Sequence, residues 1–147
     1  MFEKKISHSL EETNKIAKDF AKVLKPGETV LFYGELGAGK TEFVKAICDY
    51  YSVEQIVTSP TFTIVNQYFG KLGKENITIF HIDLYRIEKK EELVEIGFME
   101  YIANTEAIKF VEWAENSHGF LDKYDYSIKI TNDEDDVNKR HITLSSE

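Results

Sequence analysis

The chain is poor in several residue types, and each scarcity excludes something. It has a single cysteine, Cys48, in 147 residues, so no disulfide can form within it. Cys48 falls in an apolar helical pattern and reads as a small core residue, not a nucleophile. Prolines number two, and neither interrupts the longer apolar-periodic stretches. No apolar run approaches the span of a bilayer, and no cationic segment followed by an apolar one opens the chain, so no membrane role and a cytoplasmic setting are expected. Positive charge is also scarce. The 18 Lys and Arg against 26 Asp and Glu leave a net charge of −8. A broad nucleic-acid footprint needs clustered cations and is disfavoured, although docking on a protein that itself holds nucleic acid is not. The arginines, Arg86 and Arg140, lie far apart, which counts against a kinase-type lid that gathers arginines over phosphates. The guanine-reading N-K-x-D pattern is missing its last residue, because Asn138-Lys139-Arg140 is followed by His141; adenine is the expected base.

What the chain does have is a phosphate-binding signature. Gly34-Glu35-Leu36-Gly37-Ala38-Gly39-Lys40-Thr41 matches G-x-x-x-x-G-K-[ST]. A strand-forming run, Thr29–Tyr33, precedes it, and a segment apolar at helical spacing follows, which is the context that gives the motif meaning. The glycines allow a tight turn that aims backbone N–H groups at phosphate oxygens. The helix opening near Lys40 adds its positive end. Lys40 is expected to reach the outer phosphates and the Thr41 hydroxyl to ligate Mg²⁺.

Around this centre the pattern predicts a short strand over Phe2–Ile6. A helix follows from a capping box at Ser9 and Glu12 to about Leu24, ended by Pro26-Gly27. The hydroxyl-rich segment Thr58-Ser59-Pro60-Thr61-Phe62-Thr63 is either an ordinary turn or a loop that senses the γ-phosphate. Strands are predicted over Phe62–Phe69 and Ile77–Ile82, joined by a turn in Gly70–Asn76 as a hairpin. Helical character is expected over Glu88–Glu95 and again over Ile96–Ala103. A strand buried on both faces is expected over Ala107–Val111, with a last pair at Tyr124–Ile130 and His141–Leu144. Asp133–Asp136 reads as a solvated turn. The sum is one P-loop domain over residues 1–147, a three-layer α/β architecture with a mixed parallel and antiparallel sheet.

Mg²⁺ needs further ligands, and acidic residues ending apolar strands are the usual source. Asp83 follows Ile77–Ile82, and Glu112 follows Ile108–Val111. Glu91 and Glu115 lie in charged or loop-like surroundings, where a carboxylate is expected to be solvated. His81 could accept a proton, but packing or hydrogen bonding within its strand is the more ordinary role for such a residue. Trp113, next to Glu112, is a core or rim aromatic, or else a lid or a partner anchor.

Taken together, the phosphate loop, Ser59-Pro60-Thr61-Phe62-Thr63-Ile64-Val65, His81-Ile82-Asp83-Leu84-Tyr85-Arg86 and Val111-Glu112-Trp113 resemble the bacterial TsaE (YjeE) family. The resemblance covers nearly the whole chain. It implies a Mg²⁺-dependent ATPase that binds ATP or ADP and acts with TsaB and TsaD. Those partners place a threonylcarbamoyl group on adenosine 37 of tRNAs, and tRNA is met only indirectly, through the complex. It implies Thr41 and Glu112 as metal ligands, Asp83 as their Walker-B-like companion, and Lys40, Asp83 and Glu112 as the catalytic set. It extends the nucleotide-binding residues to Ser9, Leu10, Thr13, Thr61, Trp113 and Arg140. The alternatives are a stand-alone P-loop small-molecule kinase and a nucleotide-gated binding module.

Overall fold

The segment that leads into the phosphate loop lies mid-sheet. The computed structural model describes residues 2–147. In chain order the elements are β1 (Phe2–Ser7), α1 (Leu10–Ala21), β2 (Thr29–Tyr33), α2 (Lys40–Tyr50), β3 (Val65–Leu72), β4 (Glu75–Asp83), α3 (Lys90–Glu95), α4 (Phe98–Ala103), β5 (Ile108–Glu112), β6 (Tyr126–Asn132) and β7 (Arg140–Ser146). The strands form one seven-stranded sheet in the order β1-β7-β6-β2-β5-β4-β3. β2 runs parallel to β5 and β6, and β4 parallel to β5. The β3–β4, β6–β7 and β1–β7 pairs are antiparallel. The expected mixed sheet is therefore present.

Alternation along the central strands makes the layers. Val30 and Phe32 of β2, Ile108 and Phe110 of β5, and Ile79 of β4 face one side and pack with Phe20, Phe43 and Ile47 of α1 and α2. Leu31, Val111, Phe80 and Ile82 face the other side and pack with Leu93 and Phe98 of α3 and α4. A strand covered on both faces reads as a mostly apolar run, as Val30–Tyr33 does and as Ile108–Val111 does apart from the buried Lys109. Phe43 is fully buried and meets Phe32 edge-on with ring centroids 5.8 Å apart. Truncating such a phenylalanine to alanine costs about 3–5 kcal/mol.

Several boundaries differ from the sequence reading, each for a local reason. α1 stops at Ala21 instead of Leu24, and its end unwinds through bonds from Val23 N–H to the Phe20 carbonyl and from Leu24 N–H to the Ala21 carbonyl. The capping box forms with a shift of one residue. Glu12 N–H donates to Ser9 Oγ at 3.1 Å, but the Glu12 carboxylate accepts from His8 N–H at 2.6 Å, not from Ser9. β3 begins at Val65, not Phe62, because Ile64 sits in the left-handed region with φ 68° and breaks the extended run. The hairpin turn is tighter than Gly70–Asn76, since the strands pair out to Leu72 and Glu75. The helical stretch after Glu88 is cut in two at Gly97, whose φ of 72° suits glycine.

The topology fixes the site. β2, β4 and β5 are parallel neighbours, so their C-terminal ends meet at one edge. In register, Phe32 pairs with Glu112 and Asp83 pairs with Glu112. The phosphate loop leaves β2 at that same edge, where α/β sheets bind ligands.

Candidate functional site

Gly34 takes the chain out of β2 with φ 152°, and a Cβ there would lie 2.4 Å from the Ile130 carbonyl oxygen. Only glycine fits so close an approach. The loop then turns back, with Ala38 N–H bonded to the Glu35 carbonyl at 3.0 Å, and enters α2 at Lys40. Two clefts flank it.

The inner cleft, about 460 Å³, is lined by Leu36, Gly37, Gly39, Lys40, Thr41, Glu42, Ser59, Thr61, Asp83, Tyr85, Glu112 and Trp113. Lys40 is almost fully buried. Its Nζ donates to the Gly34 carbonyl at 2.5 Å and lies 3.8 Å from the centre of the Trp113 ring. Burial lowers its pKa, and the charges of Glu112, Glu115 and Asp83 oppose that shift. Such a lysine, desolvated but still drawn to anions, is primed for phosphate. Thr41 donates its hydroxyl to the Glu112 carboxylate, with oxygens at 3.1 and 3.3 Å. The nearer of those two oxygens, Oε2, also lies 2.5 Å from His81 Nε2. A carboxylate only accepts, which assigns the proton of this contact to Nε2.

Asp83 accepts from Tyr85 N–H at 2.9 Å and from the Ser59 hydroxyl at 3.1 Å, and Ser59 Oγ lies 2.7 Å from Thr61 Oγ1. The hydroxyl-rich loop is thus tied to a strand-end acid. Burial raises the Asp83 pKa most, and the nearby Glu112 charge adds to this, while the bonds from Tyr85 and Ser59 and the neighbouring His81 work against it. The half-buried Thr41 hydroxyl and the two buried carboxylates form an all-oxygen donor set. It suits Mg²⁺, which keeps waters and substrate phosphates in its remaining positions.

Trp113 has φ 56°, an uncommon geometry for a bulky residue, and Ile64 shares it at the far end of the hydroxyl-rich loop. Strain of this kind concentrates at functional sites. The Trp113 ring also packs at 5.0 Å from Tyr85.

The outer cleft, about 280 Å³, lies across the loop from the inner one. Ser9, Leu10 and Thr13 come from the start of α1, Gly37, Ala38 and Gly39 from the phosphate loop, and Val137, Asn138 and Arg140 from the turn before and the start of β7. Thr13 Oγ1 is 2.6 Å from Ser7 Oγ, so its hydroxyl is already partnered. Arg140 donates from Nε to the Ala38 carbonyl at 3.1 Å and from Nη1 to the Val137 carbonyl at 2.7 Å. It clasps the phosphate loop from outside.

All the residues expected at the site therefore gather at this edge. Within the phosphate loop, Glu35, Leu36 and Gly37 are its exposed members. Sequence reasoning missed Glu42, which lines both clefts, and Val137 in the outer one. The signal for Glu42 is its place in the first turn after the loop; for Val137 it is a lone apolar residue in an acidic turn. Glu115 is exposed as expected, yet its charge acts on Lys40, so it is not a neutral bystander. Cys48 is buried and its thiol is pushed up to about 12 by desolvation, in keeping with an inert core residue. No helix among the described residues is long and apolar enough to cross a membrane.

A family model described as "Threonylcarbamoyl adenosine biosynthesis protein TsaE" matches residues 7–142. Among similar proteins, a tRNA threonylcarbamoyladenosine biosynthesis protein TsaE of Bacillus subtilis is 36% identical over 92% of this chain and 80% of its own. One of Aquifex aeolicus is 42% identical over 75% of each. One of Rickettsia conorii is 42% identical over 74% of this chain, which spans 59% of that relative's length. The crystal structure of Bacillus subtilis YdiB superposes with a TM-score of 0.77 at 29% identity, covering 99% of this chain and 86% of that one.

Proposed function

The chain belongs to the TsaE family, and from that membership and the geometry of the inner cleft we propose that it is a Mg²⁺-dependent ATPase of the tRNA N6-threonylcarbamoyladenosine modification machinery. It binds ATP or ADP at Gly34–Thr41 and acts in the cytoplasm with TsaB and TsaD, meeting tRNA only through that complex. The observation that carries this reading is the contact between the Thr41 hydroxyl and the Glu112 carboxylate at the mouth of the phosphate loop.

Each residue then has a task. Backbone N–H groups of the loop and the start of α2 hold the phosphates. Lys40 exchanges the Gly34 carbonyl for a phosphate oxygen and offsets charge there. Thr41 and Glu112, with Asp83 beside them, would hold Mg²⁺, which would supply positive charge against the charge that develops on transfer. Ser59 and Thr61, tethered to Asp83, lie where a γ-phosphate would alter their contacts. The outer cleft takes the nucleoside.

The chain's other arginine, Arg86, stacks on Phe62, with its guanidinium carbon 4.3 Å from the ring centre, so no arginine finger is in place. P-loop enzymes that receive a missing group from a partner gain a factor on the order of 10³ or more. Slow hydrolysis alone and stimulation by TsaB–TsaD is therefore the expected outcome of a steady-state phosphate-release assay. Trp113→Ala is expected to reduce the stimulation while ADP affinity persists. Fast hydrolysis by the lone protein, indifferent to both partners, would contradict this reading.

A further inference from the structure

His81 is fully buried mid-sheet, beside the site but not lining it. Its Nε2 donates to Glu112 Oε2 at 2.5 Å, and the same carboxylate oxygen is the nearer acceptor for the Thr41 hydroxyl at 3.1 Å. On the imidazole's far side, Nδ1 lies 3.5 Å from the Tyr68 hydroxyl. That hydroxyl has one proton, for either Nδ1 or the Thr58 carbonyl oxygen at 3.2 Å, and accepts from the Asn66 amide nitrogen at 3.3 Å. One chain of polar contacts thus runs from the carboxylate, through the ring, to the residues that bound the hydroxyl-rich loop. Glu112 and Asp83 are register partners, so two buried acids stand side by side and gain from a fixed donor.

We propose that His81 is the positioning residue for Glu112: its Nε2–H fixes the carboxylate in the orientation that Thr41 and a metal ion share, and Tyr68 holds the ring in that pose. His81 itself touches neither metal nor nucleotide. Outer partners that orient metal ligands commonly change metal affinity by about 10–100-fold when removed. The inference rests on the Mg²⁺-nucleotide reading of the site.

The test uses geometry that two amides reproduce differently. A glutamine at this position can place its amide nitrogen near the site of imidazole Nε2, whereas an asparagine is one carbon too short. Mn²⁺ serves as the metal probe, titrated into the whole chain with saturating ADP and followed by electron paramagnetic resonance. Binding of ADP in excess chelator and thermal unfolding are recorded in parallel. His81→Asn is expected to weaken Mn²⁺ binding by about 10–100-fold. His81→Gln should stay within about threefold of wild type, since its donor survives, and both should bind metal-free ADP as wild type does. Tyr68→Phe should fall between wild type and His81→Asn. Wild-type Mn²⁺ affinity in His81→Asn would overturn the proposal, as would equal loss in both amide variants at matched thermal stability. Failure of the wild-type protein to bind ADP and Mn²⁺ at all would instead overturn the nucleotide-site reading, and the role of His81 with it.

Discussion

The inner and outer clefts share the phosphate loop but are built in opposite ways. The inner one takes its acids from the ends of neighbouring parallel strands, where Asp83 and Glu112 are buried and each already accepts two hydrogen bonds from protein groups. The outer one takes its walls from the first turn of α1 and an acidic turn, with Leu10 and Val137 exposed. Sheet register fixes the first, while the second depends on a helix cap and an arginine clasp. A metal and a transferring phosphoryl group need fixed geometry. A nucleoside tolerates a softer wall. The division predicts that inner-cleft changes act on metal dependence and rate, and outer-cleft changes on affinity and local stability.

The largest effect is expected at the shared element. Lys40→Ala should remove about 3 kcal/mol or more of barrier lowering, a factor on the order of 10²–10³ in hydrolysis rate. The fold should persist, because desolvation outweighs the pull of the neighbouring acids on the Lys40 charge, so the folded state does not depend on it. Hydrolysis with TsaB and TsaD present, compared with circular dichroism of the same samples, checks both halves.

Next comes the contrast itself. Glu112→Ala should raise the Mg²⁺ concentration needed for half-maximal hydrolysis, and Asp83→Ala should do so too. Glu91→Ala, on the exposed side of α3, should leave it unchanged. Arg140→Ala should weaken ADP binding by loosening the phosphate loop at Ala38 without moving the Mg²⁺ midpoint. If Arg140→Ala shifts the midpoint as far as Glu112→Ala does, the two clefts are not separable.

A smaller change is expected at Ser9, whose Oγ accepts from Glu12 N–H at the start of α1. Ser9→Ala should cost about 1 kcal/mol of stability. In a chain of this size that corresponds to a fall of about 2–4 °C in Tm by calorimetry.

The smallest is a pH effect. Folding raises the Asp83 pKa above 3.8. The folded state then holds a proton that the unfolded chain has released, so stability falls as pH rises from about 3.8 through the folded pKa. Asp83→Asn lacks this loss and should gain stability relative to wild type on going from about pH 3 to pH 7 in metal-free buffer. Urea unfolding at both pH values measures it.

Much of this was legible in the sequence, and unevenly so. The central strands and the phosphate loop could be read from apolar runs and glycines because both reflect backbone constraints. Asp83 and Glu112 stood out as acids that end apolar runs, and parallel register then brought them together. The role of His81 could not be read. Its bond to Glu112 spans 31 residues of sequence and depends on β4 and β5 being neighbours, which no local pattern encodes. The outer cleft was placed by family resemblance alone, since nothing in the spacing of Ser9, Thr13 and Arg140 brings the starts of α1 and β7 to the phosphate loop. The late start of β3 was lost to a single residue, Ile64, whose left-handed backbone overrides the surrounding periodicity.

The most direct test of the account is calorimetric titration of adenine and guanine nucleotides into the wild-type protein, with Mg²⁺ and with chelator. The account predicts that ATP and ADP bind with Mg²⁺, that GTP binds more weakly, and that chelator weakens ATP binding. GTP binding as tightly as ATP, or no binding by either, would contradict it.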